Sequence, residues 1–245
     1  MIPKDADRRR IYLMRHGSVT YFDSEGRPLR PDTVPLNALG REQAQAAGRQ
    51  FAAAGMRFDR VITSGLERTV QTAAGVLEQM QQLVEIEAIP ALREIEGGKL
   101  ADIPDDGLRD AFLGALDGRS GSLEEKRFLG GESIGQLLDR ALPQIDKLRA
   151  DADWDVVLLV LHGAVNRALL SYFLTGERQF FGRLAQSAGC INAIDVGEAK
   201  HDVTLRLVNQ SPLDSLQTAT RMTTMEALYQ QYAKFRQKFG RDEAF

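Results

Sequence analysis

At 245 residues, with 43% hydrophobic and 27% charged residues, the chain has the length and composition of one ordinary globular α/β domain with a sizeable core. Its formal net charge of −3 supplies no basic field, which excludes nucleic acid as an expected partner. Cys190 is the only cysteine, so no internal disulfide framework exists. The start of the chain lacks the apolar core of a signal peptide, and no apolar run approaches the ~20 residues of a membrane span. The expected location is the cytoplasm, with no membrane partner.

In chain order, the first predicted element is a buried strand, Ile11 to Met14, running into Arg15-His16-Gly17. It delivers a guanidinium and an imidazole to the strand's carboxyl end, where open α/β sheets bind ligands. A helix from Ala38 to Ala54 follows, with Asn37 placed to cap it. A strand over Arg60 to Thr63 turns into a helix from Glu67 to Gln81, which puts Arg68 in the first helical turn. Free amides and the helix dipole already favour anions there, and an arginine adds a clamp. A strand is expected over Val84 to Ile89.

The stretch Asp102 to Gly131 is acidic, glycine-rich and nearly aperiodic, with one short helical pattern near Leu108 to Leu116. It reads equally well as a lid inserted over the sheet's carboxyl edge or as a surface loop without substrate contact. A helix over Ile134 to Ala150 opens on a capping box, Ser133 with Gln136, and is expected to kink at Pro143. Val156 to Leu161 is apolar at every position, as a central strand covered on both faces requires. That strand delivers a second pair, His162-Gly163, ahead of a helix from Ala164 to Leu174. Ile191 to Val196 and Val203 to Val208 are closing strands. In the tail, Arg221 to Phe239, residues Met225, Leu228, Tyr229, Tyr232, Phe235 and Phe239 share one helical face. That face docks on the protein's own core or, alternatively, makes a homodimer contact. The alternation predicts a single α/β domain over residues 1–245: three layers, α/β/α, around a mostly parallel sheet.

A phosphoryl group spreads its charge over three oxygens, so an enzyme acting on it needs several cationic donors and an aligned nucleophile. Arg15, His16, Arg68 and His162 are of the right types at the right ends of their elements. His201, between Lys200 and Asp202, reads as a solvated turn residue; Arg93 and Lys99 read as surface residues near the mouth. Arg167 either reaches the site or faces solvent. Three scattered histidines and one cysteine make no metal-ligand cluster.

The ordered set of markers resembles the histidine phosphatase superfamily, which includes cofactor-dependent phosphoglycerate mutases. The markers are Arg15-His16-Gly17; Pro35-Leu36-Asn37 with Gly40 and Gln43-Ala44; Ser64, Leu66, Arg68 and Gln71-Thr72-Ala73. They continue with Leu92-Arg93-Glu94 and Gly98, Gly130-Gly131-Glu132-Ser133, and His162-Gly163 with Arg167. The resemblance implies a phosphoglycerate mutase-like fold and a small phosphorylated substrate, with no metal and no other cofactor. By resemblance, His16 is the nucleophile and Arg15, Arg68 and His162 hold the phosphate. His162 also belongs to the catalytic set, and Glu94 is the general acid. Elementary electrostatics agrees: His16 must attack through an unprotonated nitrogen, and neighbouring arginines disfavour its protonation. Glu96 lies two places from Glu94, so a shift of register would exchange the two.

Two departures stand out. Many members carry asparagine six positions after the nucleophile as a phosphate ligand; here that position is Phe22, and Ser18 is a candidate substitute, whereas the Asp23 carboxylate would repel phosphate. The common Trp-Glu-Gly after the acid segment is replaced by Leu100-Ala101-Asp102. The expected activity is phosphomonoester hydrolysis through a phosphohistidine. A phosphoglycerate-mutase-type isomerase is the first alternative, disfavoured by the acidic insertion (Asp102, Asp105, Asp106, Asp110, Asp117, Glu124, Glu125). A catalytically weak phospholigand-binding module is the second.

Overall fold

The computed structural model describes residues 8–114, 123–219 and 221–240. Six strands form one sheet: β1 (Arg9–Arg15), β2 (Arg60–Thr63), β3 (Ile86–Ala88), β4 (Val156–Leu161), β5 (Ile191–Val196) and β6 (Val203–Gln210), in the order β3-β2-β4-β1-β5-β6. β1 to β4 run parallel, while β5 and β6 join as antiparallel strands beside β1. The sheet is therefore mixed and mostly parallel, as its alternating sequence predicts. The strand expected over Val84 to Ile89 contracts to three residues, because β3 is an edge strand paired on one side only. Within β4, alternate residues serve opposite faces. Val157, Leu159 and Leu161 join one apolar cluster with helices α4 (Ile134–Ala150) and α5 (Gly163–Thr175). Leu158 and Val160 join the other, with α1 (Ala38–Ala53) and α2 (Glu67–Met80). Burying each such side chain contributes about 1.5–3 kcal/mol.

The helix signals act where the sequence placed them. The Asn37 side chain accepts from Gly40 N–H, and Ser133 and Gln136 form the capping box at the start of α4. α4 runs as one element through Pro143.

The described residues between 100 and 130 hold one short helix, α3 (Leu108–Leu113), and single 3-10 turns; Asp117 lies outside the described residues. The tail forms α6 (Thr224–Phe239), opened by a Thr223/Glu226 capping box. α6 docks within its own chain, but on the insertion rather than on the sheet. Ile103, Leu108, Phe112, Leu129, Tyr232 and Phe235 make a third apolar cluster, and the Arg236 guanidinium donates to the Ile103 carbonyl and pairs with Asp105 at 2.7 Å. Among the described residues no helix is long and apolar enough to cross a membrane.

The start of α1 presses directly on the chain leaving β1. A side-chain carbon on Gly40 would lie 2.1 Å from the Ser18 carbonyl oxygen, and one on Gly17 would lie 2.4 Å from the Gly40 carbonyl oxygen. Both neighbours are backbone, so neither can swing aside. Gly40→Ala is expected to destabilise the fold by about 1–3 kcal/mol, the range for overpacking. A denaturant titration reads this; a midpoint equal to wild type would show that the two segments yield freely.

Candidate functional site

β1 and β4 end level with one another, Arg15 opposite Leu161, and the His16 amide donates to the Leu161 carbonyl at 2.9 Å. The next residue of each strand is a histidine, so the two imidazoles meet with ring centroids 5.2 Å apart. His16 is 2% exposed and His162 fully buried. His16 Nδ1 lies 2.7 Å from the Gly17 carbonyl oxygen, which can only accept. Nδ1 therefore carries the proton and Nε2 keeps its lone pair. Burial, then the charges of Arg15 and Arg68, hold the imidazole well below its ordinary pKa.

His162 has the opposite tautomer. Its Nδ1 faces the Arg68 guanidinium at 3.4 Å and must accept, so Nε2–H donates to Ser64 Oγ at 2.8 Å. Ser64 in turn meets Thr69 Oγ1 at 3.2 Å, and Thr69 donates to the Leu66 carbonyl. The marker residues Ser64, Leu66 and Arg68 thus fix one ring. Burial, then His16, Arg68 and Arg15, keep His162 neutral.

The imidazoles sit beneath the floor of a cavity of about 1310 Å³, which is lined by Arg15, Arg68, Glu94, Gly163 and Arg167 among others. Arg15 donates through Nη1 to the Gln186 carbonyl and to Thr224 Oγ1, at 2.6 and 2.9 Å. Arg68 donates to the Pro31 carbonyl at 2.7 Å, and Arg167 to the Gly163 carbonyl at 3.0 Å. Each of the three keeps a buried Nε without a protein acceptor. Buried donors rarely stay unpaired, and three cationic ones at one floor call for an anion. A side-chain carbon on Gly163 would lie 3.2 Å from Arg167 Nη1 and 3.6 Å from both Arg15 Nε and Glu94 Oε2. Glycine there keeps open the space on which two arginines and a carboxylate converge. Burial, then Arg15, push Arg167 down to about 10, opposed by Glu94, so it remains charged at neutral pH.

Glu94 reaches this point by accepting the Ala164 N–H, at 3.1 and 3.2 Å, and its neighbour Ile95 N–H at 3.0 Å. It thus sits on the amino end of α5, directly beyond His162. Glu96 is exposed; its N–H donates to Glu132. The sequence reading overlooked Arg140, which pins the acid-bearing turn. It donates to the Ala91, Arg93 and Glu94 carbonyls and pairs with Glu132 at 2.6 Å. Its place on α4 gave no signal beyond a polar residue on an amphipathic helix. Arg167, left undecided by the sequence, belongs to the floor. Arg93 and Lys99 line the mouth and are exposed, and His201 is an exposed turn residue.

Ser18 does not stand in for the residue missing at Phe22: its hydroxyl accepts from the Asn37 side chain, outside the cavity lining. Asp23 spends its carboxylate on the Glu25 and Arg27 amides in an exposed turn. The insertion's charge also works differently from its composition. Asp105 pairs with Arg236 and Glu124 with Arg178, whereas Arg109, Phe112 and Leu113 face the cavity. Net acidity therefore gives no argument about the cavity. Cys190 is buried, and its thiol is pushed up to about 11 by that burial, which makes it a poor nucleophile. Among the described residues no group of three or more His, Cys, Asp or Glu could hold a metal ion.

The sequence profile of the histidine phosphatase superfamily (branch 1) matches residues 11–210. The 6-phosphofructo-2-kinase/fructose-2,6-bisphosphatase of Gallus gallus is 31% identical over 166 residues, covering 68% of this chain but only 33% of that protein. A protein of Salmonella paratyphi A named "Probable phosphoglycerate mutase" is 29% identical over 78% of this chain and 86% of its own. Among solved structures, the alpha-ribazole phosphatase of Shigella flexneri is 25% identical with a TM-score of 0.63, over 82% of this chain and 96% of that one. A mycobacterial glucosyl-3-phosphoglycerate phosphatase, 23% identical with a TM-score of 0.64 over 82% and 99%, shares the fold. The profile match begins inside β1, ends with the last residue of β6 and takes in both histidines, so this chain belongs to the histidine phosphatase superfamily.

Proposed function

We propose that the chain is a metal-independent phosphomonoesterase working through a phosphohistidine. The observation that carries this reading is the neutral His16, its Nε2 lone pair free, under a floor of three guanidinium groups with unpaired donors. In the first step Nε2 attacks phosphorus; the P–N bond forms as the P–O bond to the leaving group breaks. Glu94 gives its proton to the departing oxygen and releases an alcohol. In the second step water attacks phosphorus and surrenders a proton to Glu94; the P–O bond forms, the P–N bond breaks, and inorganic phosphate leaves. Arg15, Arg68 and Arg167 neutralise the equatorial oxygens, a task other phosphatases give to metal ions. His162, with Nε2 on Ser64 and Nδ1 on Arg68, serves the phosphate by orienting the Arg68 guanidinium.

The relatives' names cover both hydrolysis and isomerisation. Hydrolysis is preferred because the exposed Arg93, Glu96 and Lys99 line the cavity and give water a route to it, whereas a mutase must keep its phosphoenzyme from water long enough to return the group to its substrate. A screen across phosphomonoesters in EDTA, with 3-phosphoglycerate isomerisation run alongside, tests the reading. Turnover to inorganic phosphate is expected to survive the chelator and to be blocked by vanadate, which mimics the pentacoordinate transition state. Activity that EDTA abolishes and a divalent ion restores would overturn the metal-free mechanism. Isomerisation without phosphate release would overturn hydrolysis.

A further inference from the structure

Four side chains bear on the reacting end of the cavity without having been given work by the sequence: Arg167, Arg140, Thr224 and Tyr21. The first three have partners that account for their positions. Tyr21 does not. It lines the cavity with Arg15, Arg68 and Glu94, yet its hydroxyl makes no hydrogen bond to any described protein group.

Its placement is built. The Tyr21 carbonyl accepts the Leu29 N–H at 2.8 Å, and bridges join Val19 to Leu36 and Phe22 to Pro28 on either side. The loop from β1 to α1 is thus folded back on itself, with Tyr21 held between two backbone pairings. The residue is half-buried, and its O–H is spent on no described protein acceptor, which leaves it available to an anion held in the cavity. The groups that act on it electrostatically are Arg68, Arg15 and Glu94, the phosphate clamp and the acid.

We propose that Tyr21 is a catalytic residue whose Oη–H donates to an equatorial phosphoryl oxygen as the P–N bond forms. The inference rests on the phosphomonoesterase reading above. Burial pushes the phenol above its ordinary pKa, and Arg68 and Arg15 draw it back only in part. It therefore stays a neutral donor through neutral and mildly alkaline pH, and offers the phosphate no opposing charge. A hydroxyl suits the position better than another cation would, because it adds a donor without adding to the mutual repulsion of three arginines at one floor.

Tyr21→Phe removes the hydroxyl and leaves the ring and the loop. Against wild type, kcat should fall about 10²-fold, as for loss of one transition-state donor, with a smaller change in KM and an unchanged melting temperature. The loss should be similar for alkyl and nitrophenyl phosphates. Vanadate, titrated directly by calorimetry, should bind more weakly by a comparable factor. Vanadate affinity within twofold of wild type would overturn the proposal while leaving the phosphatase reading intact. A defect confined to alkyl phosphates would also overturn it, since the hydroxyl would then serve the leaving group. If wild type turns over no phosphomonoester, the functional reading fails, and the vanadate titration still decides whether Tyr21 holds the anion.

Discussion

His16→Ala should abolish both turnover and covalent labelling. Loss of an enzyme's attacking group costs on the order of 10⁵–10⁶-fold in kcat, and no neighbouring group can take over. His162 has its Nε2 committed to Ser64 and its Nδ1 turned to Arg68. The Cys190 thiol is buried and held protonated. Rapid quench with labelled substrate should trap an acid-labile, alkali-stable adduct in wild type and none in the variant. The acid lability follows from the bond: protonating the ring nitrogen turns it into a good leaving group. An adduct of undiminished yield in His16→Ala would place the nucleophile elsewhere. The low pKa of His16 also fixes the direction of the acid limb, because the nucleophile remains unprotonated well below pH 6.5. Activity lost on acidification should therefore not follow a group titrating near that value.

Glu94→Gln should produce a defect that depends on the leaving group. An alkoxide must be protonated as it departs, whereas nitrophenolate, whose conjugate acid has a pKa of about 7, leaves unaided near neutral pH. Hydrolysis of alkyl phosphates is expected to slow by about 10²–10⁴-fold, the range for general acid catalysis, with nitrophenyl phosphate affected far less. Glutamine preserves the fold of the segment, because its side-chain oxygen can still accept the Ile95 and Ala164 amides. Glu96→Gln should alter neither substrate, as that side chain is exposed. If Glu96→Gln shows the leaving-group-dependent loss instead, the acid has been assigned to the wrong carboxylate.

The reach of the sequence followed the range of the forces involved. β4 was legible to its end residues, since an unbroken apolar run between Asp155 and His162 is what a central strand needs, and β5 was legible from its β-branched residues and the glycine that ends it. The caps at Asn37 and Ser133 were legible because both partners lie within three residues. The strand-end placement of His16 and His162 followed from the same local signals. Contacts between distant segments were hidden. Nothing local says that Arg140 would clamp a turn nearly fifty residues earlier, or that α6 would choose α3 over the sheet. The insertion misled through its composition: charge was counted, but which carboxylates face outward depends on tertiary pairing with Arg236 and Arg178. Tyr21 carried no local signal, because the backbone pairings that fold its loop over the cavity join residues several positions apart.

The contact between Gly17 and Gly40 limits how this chain can evolve. A crowded side chain in a core can be rescued when a neighbour shrinks, and many second-site suppressors work that way. Here each partner is already the smallest residue, and what it meets is the other segment's main chain. No change at one position makes room at the other, so a lineage cannot cross between variants through a compensated intermediate at this spot. The short motif around the nucleophile therefore extends, in three dimensions, to a glycine more than twenty residues downstream, and the two must be inherited together.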